Sequence, residues 1–241
     1  MIKVSGVTKK FGDKVAVNDI SFQVNPGEIF GFLGPNGAGK TTTIKMIVGL
    51  LEPDAGELSV SGVDVIHNSL ESKKKFAYVP DNPDIYENMT AYQYINFIAD
   101  IHEVSEEDRK RITEELSTLF EIQDDLNDYL KGFSHGMKQK VALIAAMVSD
   151  PDVLILDEPM VGLDAKSAFN MKKLMRERCE AGKSVFMSTH VMEVAEKICD
   201  KIAIIKKGEI IANGTIDELR GDAGKDESLE QLFLELTEWD R

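Results

Sequence analysis

The stretch "GPNGAGKTT" at residues 34–42 sets glycines, a lysine and hydroxyls in the order G-x-x-x-x-G-K-[ST]. Gly34, Gly37 and Gly39 let the backbone curl around Pro35, Asn36 and Ala38, so that free N–H groups converge on phosphate oxygens. Lys40 has the reach for β- and γ-phosphates and the Thr41 hydroxyl suits Mg²⁺, while Thr42 is read as part of the nucleotide-binding loop. Average composition produces this four-position pattern by chance in about one chain of this length in a hundred. Here it also lies between a strand-like run and a helical one, which is the context phosphate binding needs.

A phosphate loop that turns nucleotide over needs an acid for the metal and a group that orients water. "VLILDE" (153–158) offers both. Its four apolar residues read as a buried parallel strand, ending in two acids where such sheets place their ligand sites. Asp157 is read as holding Mg²⁺ through water and Glu158 as polarising the attacking water. His190 follows "SVFMST" at the end of a further strand, a position that favours function over packing. Lys40, Glu158 and His190 are thus the catalytic candidates.

The elements that must position these residues follow from pattern. "IKVSGV" (2–7), "DISFQV" (19–24) and "EIFGFL" (28–33) read as short strands separated by turn residues. A helix is expected from Lys40 to about Leu50. From about Met89 to Val148 the period becomes helical, with ten acids against three bases between Glu103 and Asp128, the pattern of a solvated face. After Pro151, strand and helix alternate: "DVLILD" (152–157), a helix from about Lys166 to Glu180, "SVFMS" (184–188), a helix from Val191, and "KIAIIK" (201–206) opening a hairpin with a Lys-Gly turn. Near the end, Leu229, Leu232, Phe233 and Leu236 share one helix face. The sum is an α/β core interrupted by a helical insert of roughly 60 residues.

Bulk composition narrows the partners. The 241 residues carry a net charge of −14, which argues against nucleic acid. Cys179 and Cys199 make no disulfide framework and read as small buried hydrophobes. No apolar run reaches the ~18 residues of a membrane span, and "MIKVSGVTKKFG" lacks an apolar signal region. A cytoplasmic location is expected.

Together these residues resemble the ATP-binding subunit of an ABC transporter along nearly the whole chain. The most specific stretch is "GFSHGMKQKVALIAAMVSDPDVLILDEPMVGLD" (132–164), which looks like the family's signature segment followed by its acidic strand and D-loop. The resemblance implies an α/β P-loop NTPase (RecA-like) core with an N-terminal antiparallel β subdomain and an inserted α-helical subdomain. It divides a single domain into core (1–84 and 150–220), helical subdomain (about 85–149) and C-terminal helix (about 226–238). It implies ATP and Mg²⁺ as cofactors, Phe11 stacked on adenine, His190 at the γ-phosphate and Asp164 communicating across a dimer. Two subunits, as homodimer or heterodimer, would pack head to tail with Ser134 and Gly136 of each on the other's γ-phosphate. A separate integral-membrane permease would carry the substrate, with the ATPase peripheral on the inner face of the membrane. The look is that of bacterial export-type ATPases.

Two departures stand out. The signature reads Phe133, Ser134, His135, Gly136, Met137, so His135 replaces a glycine and Met137 an amide; Ser134 also suits the role of helix cap. In "YVPDNPDIYENMT" (78–90), Asp81 takes the place of the family's Q-loop glutamine. Either Asp81 binds Mg²⁺ through water, or it stays withdrawn and shapes the Pro80–Pro83 turn. Ile85, Tyr86 and Met89 downstream are apolar enough to line a permease groove or to pack in the core. Other functions compatible with the phosphate loop are a soluble ABC protein acting on ribosomes or DNA, disfavoured by charge and the single cassette, and a non-hydrolysing switch, disfavoured by Glu158 and His190.

Overall fold

The structure is a computed structural model describing residues 1–83, 85–221 and 229–238, the last four of these by backbone alone. Two sheets face each other across a core of phenylalanines. In the first, β1 (Ile2–Phe11) pairs antiparallel with β2 (Lys14–Val24) and with β4 (Ala55–Val60), which pairs with β5 (Val63–Asp64). Ile2, Val4, Val17, Ile20, Phe22 and Val24 turn inward while the residues between them are largely exposed, the alternation of a sheet with one wet face.

The second sheet holds β3 (Ile29–Leu33), β6 (Phe76–Val79), β7 (Val153–Asp157), β8 (Ser184–Thr189), β9 (Lys201–Lys206) and β10 (Glu209–Thr215), in spatial order β10-β9-β3-β8-β7-β6. All its pairs are parallel except β9–β10. The hairpin turn at Lys207 and Gly208 has φ of 51° and 86°, the mirror-type turn that matches strand twist. Every residue of β3, β7 and β8 is buried, and their apolar runs are continuous because both faces are covered.

Alternate side chains enter two cores. Phe30, Phe32, Ile155 and Phe186 pack toward the antiparallel sheet, where Phe22 stacks against Phe30, Phe32 and Phe186 with ring centroids 5.3–5.9 Å apart. Ile29, Leu33, Leu154 and Leu156 face the helices on the other side. The remaining helices are α1 (Lys40–Ile47), α2 (Ser69–Lys73), α3 (Ala91–Ile101), α4 (Glu106–Leu119), α5 (His135–Met147), α6 (Ala165–Glu180), α7 (Met192–Ile198), α8 (Ile216–Gly221) and α9 (Leu229–Glu238).

Helix starts follow local chemistry. Thr90 and Gln93 form a reciprocal capping box at α3, Ser105 caps α4 ahead of three first-turn acids, and Ser134 and Asp164 cap α5 and α6. The acids of residues 103–128 are mostly exposed, as their density suggested.

Several boundaries differ from the sequence reading. β1 and β2 run on to meet across Gly12 (φ 58°), because their outer halves are polar on the wet face. α1 stops at Ile47, where Gly49 takes a left-handed φ of 69°. β4 and β6 were not anticipated: β4 buries only Leu58 and Val60, and β6 is a four-residue edge strand. Leu229 and Leu232 are buried and Phe233 partly so; Leu236 and Trp239 lie outside the described side chains. Among the described residues no helix is long and apolar enough to cross a membrane.

Candidate nucleotide site

The C-terminal ends of β3, β8 and β7 lie side by side, with Leu33 opposite Thr189 and Asp157 opposite Ser188. This brings the phosphate loop, the acidic pair and His190 to one edge of a parallel sheet. The loop closes tightly on its surroundings. A Cβ on Gly34 would come within 2.3 Å of the Ile205 carbonyl oxygen, and Gly39, at φ 116°, would bring one to 2.8 Å from that of Ala16. Only glycine permits either approach.

Lys40 is buried, and its Nζ donates to the Gly34 carbonyl at 2.6 Å and the Pro35 carbonyl at 3.4 Å. A carboxylate oxygen of Glu158 lies 3.8 Å away. Burial pushes the lysine's pKa down, against the pull of Glu158 and Asp157. Thr41 Oγ1 donates to Asp157 Oδ2 at 3.3 Å, and Ser188 Oγ donates to Asp157 Oδ1. Burial raises the Asp157 pKa; the Ser188 bond opposes that shift, while the charge of Glu158 adds to it.

Glu158 sits one residue past β7 with φ 49°, an uncommon conformation for a side-chain-bearing residue, of the kind that costs about 1–3 kcal/mol and gathers at functional sites. Its N–H donates to the Ser188 carbonyl at 3.2 Å, and its Oε1 accepts from His190 Nδ1 at 2.9 Å. The carboxylate can only accept, so Nδ1 carries the proton. One carboxylate oxygen thus stands between the Lys40 ammonium and the His190 ring.

Lys40, Thr41, Asp157 and Glu158 border a cleft of about 530 Å³, and His190 reaches it only through its bond to Glu158. Phe11, at the end of β1, is 52% exposed on its rim, with the Lys9 ammonium 5.8 Å from the ring centre. Pro35, Asn36, Gly37, Gly39, Thr42 and Asp81 also line it, while Gly34 and Ala38 do not. The charges of Asp157 and Asp81 add to the burial that raises the Tyr78 phenol's pKa, and the charge of Asp81 also raises that of Asp157. Val15, Ala16 and Lys207 complete the wall and were not anticipated. The Lys-Gly turn was visible as a hairpin, but only the fold shows that Gly208 donates to the Ala38 carbonyl at 2.9 Å, docking the hairpin on the phosphate loop.

Ser134 and Gly136 do not line this cleft. Ser134 accepts from the Met137 N–H at 3.3 Å, and a Cβ on Gly136 would come 2.3 Å from the Gly162 carbonyl oxygen. Asp164 accepts from the Ser167 hydroxyl at 2.6 Å, from the Ser167 N–H at 2.8 Å and from Lys140 Nζ at 2.9 Å, bonds that hold its pKa well below the usual carboxylate range. A second, more apolar groove of about 430 Å³ runs between Pro80, Pro83 and Ile85, α3 and the alanines of α5. Ile85 lines it; Tyr86 packs edge-on against Phe97 and Met89 packs against the core.

The donors suit the groups that the loop calls for. Hard oxygens from Thr41 and Asp157 face the phosphate loop. That is the pattern of Mg²⁺ bound through one or two protein oxygens, waters and substrate phosphates rather than in a protein cage.

Residues 17–161 match the family model described as ABC transporter. The Nod factor export ATP-binding protein I of Burkholderia lata is 37% identical over 213 residues, 88% of this chain and 70% of that protein. A solved structure described as the ATP binding subunit of an ABC transporter superposes with a TM-score of 0.95 at 33% identity, over 99% of this chain and 100% of that one. A dimeric, post-hydrolysis ATP-binding cassette, MJ0796 with ADP and Pi, gives 0.81 at 25% identity over 90% of this chain and 99% of that one. The chain belongs to the ABC transporter family. Its P-loop α/β fold is that of an ATP-binding subunit that acts as an ATPase.

Proposed function

We propose that the chain hydrolyses Mg²⁺-bound ATP between two ATPase subunits and so drives export through a separate integral-membrane permease at the inner face of the membrane. The observation that carries this reading is the Glu158 carboxylate held between Lys40 and His190, beside the Thr41–Asp157 pair. Bound Mg²⁺ would supply charge neutralisation at the β- and γ-phosphates. Thr41 and Asp157 would hold it. The phosphate loop, with Lys40, cradles the phosphates, and Phe11 stacks on the adenine.

Glu158 orients the attacking water and accepts its proton, while His190 fixes the carboxylate's direction and faces the γ-phosphate. Ser134 and Gly136, at the positive end of α5, reach the nucleotide of the facing subunit. Their place outside the cleft of their own chain suits that role, as does the dimeric form of the MJ0796 cassette. The groove beside Ile85 receives the permease, and the relative named for Nod factor export supports an export direction.

Glu158→Gln is expected to bind ATP, lose most turnover and accumulate as an ATP-dependent dimer. Removal of a group acting on the attacking water costs about 10²-fold or more, so near-normal hydrolysis by this variant would remove Glu158 from the mechanism.

A further inference from the structure

His135 is the first residue of α5 and stands where the family resemblance expects glycine. Its ring does not simply project into solvent. Nε2 lies 3.0 Å from the Asp81 carbonyl oxygen, 54 residues earlier in the chain. A carbonyl only accepts, so Nε2 carries the proton and donates. The other side of the ring is closed by the loop that leads from Glu158 to α6. A Cβ added at Gly162 would come 2.7 Å from His135 Nδ1, and Gly162 itself already has φ 78°. Both loops reach the nucleotide cleft, one through Asp81 and the other through Glu158.

We propose that His135 is a positioning residue that ties the first turn of α5 to the cleft wall, so that nucleotide bound by a subunit sets the pose of its own Ser134–Gly136 turn. Glycine has no side chain with which to make this bond. A neighbouring tie, Lys138 to Glu87 at 2.5 Å, joins α5 to the chain six residues past Asp81, on a largely exposed acid where ion pairs contribute little. The His135 bond is the one that reaches the cleft wall itself. Its consequence for a dimer, in which each cleft would report its occupancy to the opposite one, rests on the two-subunit reading proposed above.

The test follows amide hydrogen exchange in residues 134–140 of the full chain, at concentrations where it is monomeric, with and without a non-hydrolysable ATP analogue. The analogue should slow exchange there about fivefold in the wild type, the lower range of allosteric coupling factors. His135→Ala should abolish the effect and weaken the analogue by no more than about the same fivefold, as reciprocal linkage requires. His135→Gln, whose amide donor lies at about the reach of Nε2, should restore it. Equal protection in His135→Ala, failure of the glutamine to rescue, or a loss of analogue affinity far beyond about fivefold in His135→Ala would each overturn the proposal. Dimerisation of Glu158→Gln with ATP is measured alongside; its absence would refute the two-subunit reading and leave the intramolecular tie standing on its own exchange data.

Discussion

Asp81 offers two different atoms to two different neighbours: its side chain lines the nucleotide cleft, and its carbonyl accepts from His135. Asp81→Asn alters the first and spares the second. If the carboxylate serves the metal through water, the Mg²⁺ concentration for half-maximal hydrolysis should rise several-fold, since water-mediated and outer contacts to a metal shift affinity by 10-fold or so. A metal titration with the wild-type midpoint would leave Asp81 as a turn residue only. The phosphate loop was legible from sequence because its backbone path demands glycine at set spacings, and glycine is visible as a letter. Val15, Ala16 and Lys207 were not legible, since they join the cleft only when β2 and the β9–β10 hairpin fold against the loop. Ser188 was hidden in an apolar run, yet it donates to Asp157 and anchors Glu158.

At the scale of elements, α5 and α6 are held by their first turns. Asp164 caps α6 and also binds Lys140 of α5, so one carboxylate fixes the relative position of two helices. Asp164→Ala should cost about 1 kcal/mol as a lost cap. That corresponds to roughly 2–4 °C in Tm for a domain of this size. Asp164→Asn, which keeps a capping oxygen, should lose less. Because the folded-state pKa is depressed, the stability contributed is complete above the unfolded value of about 4 and disappears as pH falls through the folded value. Thermal melts should therefore show wild type and Asp164→Ala separated near neutrality and converging only in strong acid; a constant separation across that range would mean that the charge of Asp164 contributes nothing. The caps at Thr90, Ser105, Ser134 and Asp164 are short local patterns, but only Ser134 was read as a cap, although the start of α6 was placed within a residue. β4 stayed hidden because its pattern is diluted by Gly56 and Glu57, and its place comes from pairing with β1.

Across the whole molecule, the nucleotide cleft and the apolar groove flank the same connection between β6 and α3, with Asp81 in one and Pro80, Pro83 and Ile85 in the other. Leu70 and Ile101, 73% and 60% exposed, rim the groove away from the cleft. The double substitution Leu70→Asp/Ile101→Glu should leave ATP hydrolysis by the free subunit intact and abolish co-purification with an integral-membrane protein. Retained co-purification would place the permease contact elsewhere. The α/β alternation that frames both hollows was readable from hydrophobic period, since strands covered on both faces appear as unbroken apolar runs. Strand order was not, because pairing between distant segments leaves no local mark.

That order sets a schedule for building the protein. Among the described strands, β3, which carries the phosphate loop, pairs only with β8 and β9, which begin at residues 184 and 201. At the ribosome the loop sequence emerges early, yet the strand beneath it has two bare edges until the last third of the chain has been made. An unpaired apolar strand of this kind invites association with other chains. A nascent chain halted before residue 184 should therefore display the motif without folding it, and its first nucleotide-competent moment comes only when β9 closes the sheet.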